Sequence, residues 1–213
     1  MTRHAQSERL QLCDELDRLG PDEPTLCEGW DTRDLAAHLL VREHRPDLTA
    51  GRFVPFLAGH LEKEQAKIAH GDYAALVDRV RRGAPVWNPM AHPKVDEVTN
   101  LIEFFVHHED ARRAQPGWEP RELSPQLSGK LWTALKRSAR LMFRKAPTGI
   151  VLIAEGQGRH AARLPDEHGT VVLRGTAAEL VLYAYGRKSV ARVEFEGDAD
   201  DIAALQQTDL GIS

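Results

Sequence analysis

Apolar positions recur at helical spacing through the first two thirds of the chain and give way to short strand-like runs after Pro147. Leu10, Cys13, Leu16 and Leu19 stand at three-residue steps, which predicts a first amphipathic helix capped at Ser7 and stopped by Gly20-Pro21. Residues 22–30 read as a loop punctuated by Pro24 and Gly29. Asp31, with Asp34 three residues on, predicts the start of a second helix that carries Leu35, Ala36 and Leu39 to His44 and is limited by Pro46. Helical spacing resumes over 53–69, 72–82 and 95–114, and over 125–143 behind a Ser124 cap. Beyond Pro147 the runs 150–153, 160–164, 170–173 and 192–196 predict short strands. Helices are predicted over 176–185, where Thr176 and Glu179 have capping-box spacing, and over 200–207. The predicted fold class is α+β: a helical bundle over residues 1–146, then a small α+β domain over 147–213.

Composition narrows the function classes. With 213 residues, 42% hydrophobic and 28% charged, the chain has the make-up of a globular protein. A net charge of −4 supplies no electrostatic drive toward nucleic acid or an anionic membrane. Cys13 and Cys27 are the two cysteines and form no CxxC pair, which suits a reducing compartment. The polar N-terminus and the lack of a bilayer-length apolar run complete the expectation of a cytoplasmic protein with no membrane partner.

The chemistry concentrates in the helix over 95–114. Apolar Val98, Leu101, Ile102, Phe105 and Val106 form one stripe; Asn100, Glu103, His107 and Asp110 form another, polar one. Glu103 and His107, four residues apart, could supply two ligands of a metal site completed by a histidine from another helix; a solvated polar face explains the same spacing. His38 on the second helix is the best third ligand, and it equally fits a satisfied core histidine. His44 lies at that helix's end, and His108 is turned about 100° away from His107. His60, His92, His160 and His168 have surface explanations. Two histidines and a carboxylate suit zinc with an open position, and also the facial triad of non-haem iron. The basic cluster Arg79, Arg81 and Arg82 reads as a solvated helix end.

Two longer motifs carry a family resemblance. The run Thr25-Leu-Cys27-Glu-Gly29-Trp30-Asp-Thr-Arg-Asp34-Leu35-Ala-Ala-His38-Leu39, with Glu103-Phe-Phe-Val-His107-His-Glu-Asp110-x-x-Arg113-Ala114, resembles the mycothiol-dependent maleylpyruvate isomerase family. The resemblance implies a DinB-like, metal-binding four-helix bundle followed by a sterol-carrier-like domain. It implies that His38, Glu103 and His107 are metal ligands. The segment from Gly175 to Gly186-Arg187, followed by Val193 to Asp198, has the look of that family's C-terminal domain. Arg187 is nominated there as a catalytic residue, against the alternative of an exposed helix-end arginine. Asp110 is the second catalytic nominee, as the partner that orients His107, against a surface carboxylate paired with Arg112 or Arg113.

The implied cofactors are a divalent metal ion (zinc, with iron or nickel as alternatives) and mycothiol. The implied partners are that thiol and a small electrophilic substrate, with the chain a monomer or homodimer. The implied activity is isomerisation or thiol S-transfer. The competing reading keeps the same ligands in a non-enzymatic metal-binding sensor or stress protein. A helix-turn-helix reading of residues 31–40 fails because no recognition helix follows. A lipid-carrier reading of the C-terminal domain has too few strands behind it.

Overall fold

The computed structural model describes residues 3–45, 55–165 and 168–211, so Pro46 and Phe53 lie outside the described residues. The chain forms two compact units, 1–120 and 121–213. The first holds α1 (His4–Leu19), α2 (Thr32–His44), α3 (Pro55–Ala69), α4 (Tyr73–Arg82), a single 3-10 turn (Pro89–Ala91) and α5 (Pro93–Arg113). The second holds α6 (Pro125–Met142), β1 (Gly149–Ala154), β2 (Gly158–Arg163), β3 (Thr170–Gly175), α7 (Ala177–Ala184), β4 (Glu194–Glu196) and α8 (Ala199–Gln207). The α+β class matches the expectation from sequence. The compact units divide at 120/121 and not at 146, because α6 packs against α7 and β2 of the second unit.

In the first unit α1 packs along α5 and against α4, while α2 packs on α3 and α4. Leu12, Leu16, Leu35, Leu39, Leu40, Val77, Val80 and Phe104 fill the space between them. The buried face of α1 runs through Ala5, Glu8, Arg9, Leu12, Cys13 and Leu16, and Leu10 is exposed. Steps of three lag the helical turn of 3.6 residues, so a stripe read at that spacing drifts off the buried face. α1 starts earlier than Ser7, at His4, with no side-chain cap. On α5, Val98 is 65% exposed, while every residue from Phe104 to Ala111 is buried. The C-terminal half of α5 is therefore enclosed on all sides, and its polar stripe faces protein.

The second unit is a four-stranded sheet in the order β2-β1-β3-β4, with β1 antiparallel to β2 and parallel to β3, and β4 antiparallel to β3. The run Ile150-Val151-Leu152 is buried on both faces, as expected of a central strand. Gly149 pairs with Thr170 where a Cβ would come within 2.7 Å of the threonine hydroxyl, so the strand start requires glycine. The Thr176 hydroxyl accepts from the Glu179 N–H, and the Glu179 carboxylate takes the Arg192 backbone N–H at 2.8 Å. Half of the predicted capping box thus forms, and the glutamate also ties the next loop to α7.

Candidate metal centre

The loop before α2 is stapled on both sides. Thr25 and Trp30 are joined by the Thr25 N–H to the Trp30 carbonyl at 3.2 Å and by the Thr25 hydroxyl at 2.9 Å. Gly29 takes the turn between them at a φ of 75°, a left-handed conformation that side chains rarely adopt. Asp31 then caps α2 in a full capping box with Asp34. The Leu26 N–H donates to the Asp110 carbonyl at 3.1 Å, which pins the loop to α5. On the other side, His92 caps α5 and Pro93 occupies its first turn, which suits a residue without an N–H. These two starts set the register in which α2 and α5 face each other.

In that register the three sequence-nominated ligand residues meet. His38 Nε2 lies 3.3 Å from Glu103 Oε1, and His107 Nε2 lies 3.4 Å from the same oxygen. One ligand atom from each residue falls within 4.8 Å of the others. The two imidazole rings meet edge-on with centroids 5.2 Å apart, and Trp30 packs on His38 at 5.0 Å. Asp110, with no exposed surface, accepts from His107 Nδ1 at 2.9 Å. That bond holds a proton on Nδ1 and turns Nε2 toward Glu103.

The ionisable groups of this cluster shift one another in opposite directions. Burial alone would raise the Glu103 carboxyl, but hydrogen bonds from His107 and His38 and the nearby charges of His107 and Arg42 hold it well below the usual carboxylate range. Burial would likewise lower His107, yet Asp110, Cys27 and Glu103 together raise it well above the usual imidazole value. A pocket that favours a proton among two nitrogens and a carboxylate has the donor set of a divalent ion. The residues present therefore fit a metal. The side chain of Glu103 keeps 20% exposure. Next to it, Trp30, Asp34, His38, Arg42 and residues of α3 line a cleft of about 520 Å³.

Several residues here escaped the sequence reading. Arg42 lines the cleft with its Nε 3.3 Å from Glu103 Oε1, held by the Thr99 carbonyl at 3.0 Å and by Asn100. Asn100 in turn donates to Glu43 at 3.0 Å and Asp96 at 2.8 Å. Glu43 is clamped by Arg9 at 2.5 and 2.6 Å, and Arg9 also reaches Asp96 at 3.0 Å. A buried polar chain thus runs from α1 to the edge of the cluster. The four-residue step from His38 to Arg42 was the available signal for Arg42. Cys27 lies 3.3 Å from the same Asp110 oxygen that holds His107. His108 is buried against Glu8 at 3.3 Å. Asp110 turns inward to His107 and Cys27, while Arg112 and Arg113 bind Glu109 instead. His60 and His92 are exposed, and His168 meets Asp201 at 3.5 Å. Arg187 belongs to the second unit, where its guanidinium donates to the Tyr185 carbonyl at 2.6 Å just after α7.

The model of the MDMPI C-terminal domain family matches residues 92–204, more than half of the chain. The chain belongs to the MDMPI C-terminal domain family. The matched stretch of this family member begins at the α5 cap and takes in Glu103, His107, Asp110 and Arg187. Two solved structures share its fold, one of the mycothiol-dependent maleylpyruvate isomerase and one of a histidine-to-alanine mutant of that enzyme. Each has a TM-score of 0.59 over 91% of this chain and 90% of its own, at 18% identity for the first and 17% for the mutant. No curated protein matches this MDMPI C-terminal domain family member in sequence. Among its described residues no helix is long and apolar enough to cross a membrane.

Proposed function

We propose that this chain is a metal-dependent cytoplasmic enzyme that uses a low-molecular-weight thiol, mycothiol, to isomerise a small electrophilic substrate or to transfer the thiol to it. The observation that carries the reading is the convergence of His38 Nε2 and His107 Nε2 on one oxygen of Glu103, beside an open cleft. The fold shared with structures of a mycothiol-dependent isomerase supports the choice of thiol.

His38, Glu103 and His107 would hold the ion, and two imidazoles with one carboxylate favour zinc, with iron or nickel as alternatives. A bound ion supplies the Lewis acidity that turns a thiol of pKa near about 8.5 into a thiolate at neutral pH, ready to add to an activated double bond or displace a leaving group. Asp110 is a positioning residue: it keeps the His107 proton on Nδ1. Arg42 holds Glu103 ionised and offers its guanidinium edge to the cleft. Trp30 packs on His38 and walls off water from one side. Arg187 is proposed as a further catalytic residue.

The test is elemental analysis of protein purified without added metal, followed by mycothiol titration of the same sample. The expected result is about one ion per chain, as three protein ligands with an open position hold, and thiol binding that disappears with the ion. His38→Ala is expected to lose the ion while the helical circular dichroism persists. An ion retained by that variant overturns the ligand set. Stoichiometric metal without thiol binding or turnover selects the sensor reading instead.

A further inference from the structure

A second concave site lies wholly inside the second unit, in the groove between α6 and β2. It has a volume of about 740 Å³ and is lined by Lys136 and Arg140 of α6, by Arg144 just past its end, and by His160, Arg163 and the following Leu164. That size is in the range of small-ligand pockets, roughly 300–1,000 Å³. Lys136 and Arg140 stand one turn apart and share a face of α6, and Arg144 follows in the turn just beyond the helix. No Asp or Glu is among the described lining residues, although the chain as a whole carries a charge of −4.

The walls of the groove are ordered by packing. Trp132 is buried beneath it, with the His160 ring edge-on at 6.3 Å and the Lys136 ammonium 5.6 Å from the indole centre. Arg163 Nη1 donates to the Arg144 carbonyl at 3.3 Å, joining the strand to the end of the helix. Arg144 Nη1 reaches the Leu141 and Gly211 carbonyls, both at 3.3 Å. Burial, then the like charge of Lys136, hold His160 below the usual imidazole value. Leu164, 76% exposed, places an apolar side chain beside these cations.

We infer that this groove is an anion site for an organic di- or triphosphate of nucleotide size. Guanidinium forks pair with phosphoryl oxygens two at a time, and a row of cations matches successive phosphoryl groups better than a lone carboxylate. The apolar rim at Leu164 suits the organic part of such a ligand. A nucleic acid is disfavoured by the acidic chain and by the small, walled shape of the site.

The test is calorimetric titration of the full chain with ADP, ATP and inorganic pyrophosphate at low and physiological salt. Lys136→Glu and Arg140→Glu, both at exposed positions, are titrated in parallel with circular dichroism as the folding control. Binding is expected to weaken at least about tenfold in each variant, as loss of a charge-assisted contact implies. It is also expected to weaken with salt, and to be unchanged by His38→Ala. The last arm separates this groove from the metal centre of the first unit. Tighter binding of ADP than of pyrophosphate identifies the organic part as a contributor. Absence of binding at about 1 mM ligand, an affinity too weak to matter, overturns the inference. So does equal affinity in the variants, or binding confined to anionic phospholipid vesicles or duplex DNA.

Discussion

Asp110→Asn isolates the orientation of His107 from its presence. Asp110 has no exposed surface, and one of its oxygens faces both His107 Nδ1 at 2.9 Å and Cys27 Sγ at 3.3 Å. An asparagine is nearly isosteric, so packing is preserved and two amide orientations bracket the outcome. With the amide oxygen in place, His107 keeps its Nδ1 proton but loses the charge on its partner. With the amide nitrogen in place, an N–H donates to Nδ1, the ring proton is fixed on Nε2, and Nε2 no longer offers a lone pair to an ion. Losing the outer partner of a ligating histidine costs about 10- to 100-fold in metal affinity, or about 1.4–2.7 kcal/mol. The first orientation belongs at the lower end and the second at the upper. The assay is zinc competition against a chromophoric chelator at neutral pH, with thermal unfolding of the metal-free variant to show that the fold survives. An affinity within about twofold of the parent, far inside the span expected for such partners, refutes the assignment of Asp110 as the group that sets the His107 tautomer.

Arg9→Met leaves Glu43 buried without its main counter-charge, which costs about 3–5 kcal/mol; urea unfolding measures it, and the double variant with Glu43→Leu is expected to recover much of the loss. In the metal-free chain, the raised His107 contributes stability that is full below the ordinary imidazole pKa and is lost as pH rises through its higher folded value. The depressed Glu103 contributes stability above the ordinary glutamate pKa that is lost as pH falls through its lower folded value. Thermal melts of metal-free protein are therefore expected to peak between about pH 4.5 and 6.5, and a peak above neutrality contradicts the pairing. Cys13 is fully buried and its thiol is pushed up to about 12, whereas Cys27 is half-buried. A chromogenic disulfide reagent at mildly alkaline pH is expected to titrate Cys27 in the native protein and Cys13 only after unfolding; equal rates refute the burial argument.

Much of the first unit was legible because its punctuation is local. Asp31 with Asp34 and Gly20 after Leu19 each mark a helix boundary through groups a few residues apart, whereas α5 starts at Pro93, two residues before the expected Val95. The Glu103–His107 spacing was visible for the same reason, since four residues make one turn. Apolar spacing was a poorer guide to which face is buried. The three-residue series on α1 placed Leu10 on the core face, and the α5 stripe included Val98, both of which the structure exposes.

The amino-acid sequence by itself determined the order of helices and strands, the α+β class and the residue types of the cluster, because caps, breakers and helical periodicity act over one or two turns. Only the tertiary structure decided which side chains meet across elements. The polar stripe of α5 is solvated or enclosed according to what packs on it, and α2 with its stapled loop encloses it here. The pairing of Arg42 with Glu103, of Cys27 with Asp110 and of Arg9 with Glu43 joins residues 34 to 83 positions apart. No local pattern encodes such meetings, because they depend on the register of one helix against another. The place of α6 followed the same rule: its apolar stripe would have served either unit, and contact with α7 and β2 assigned it to the second.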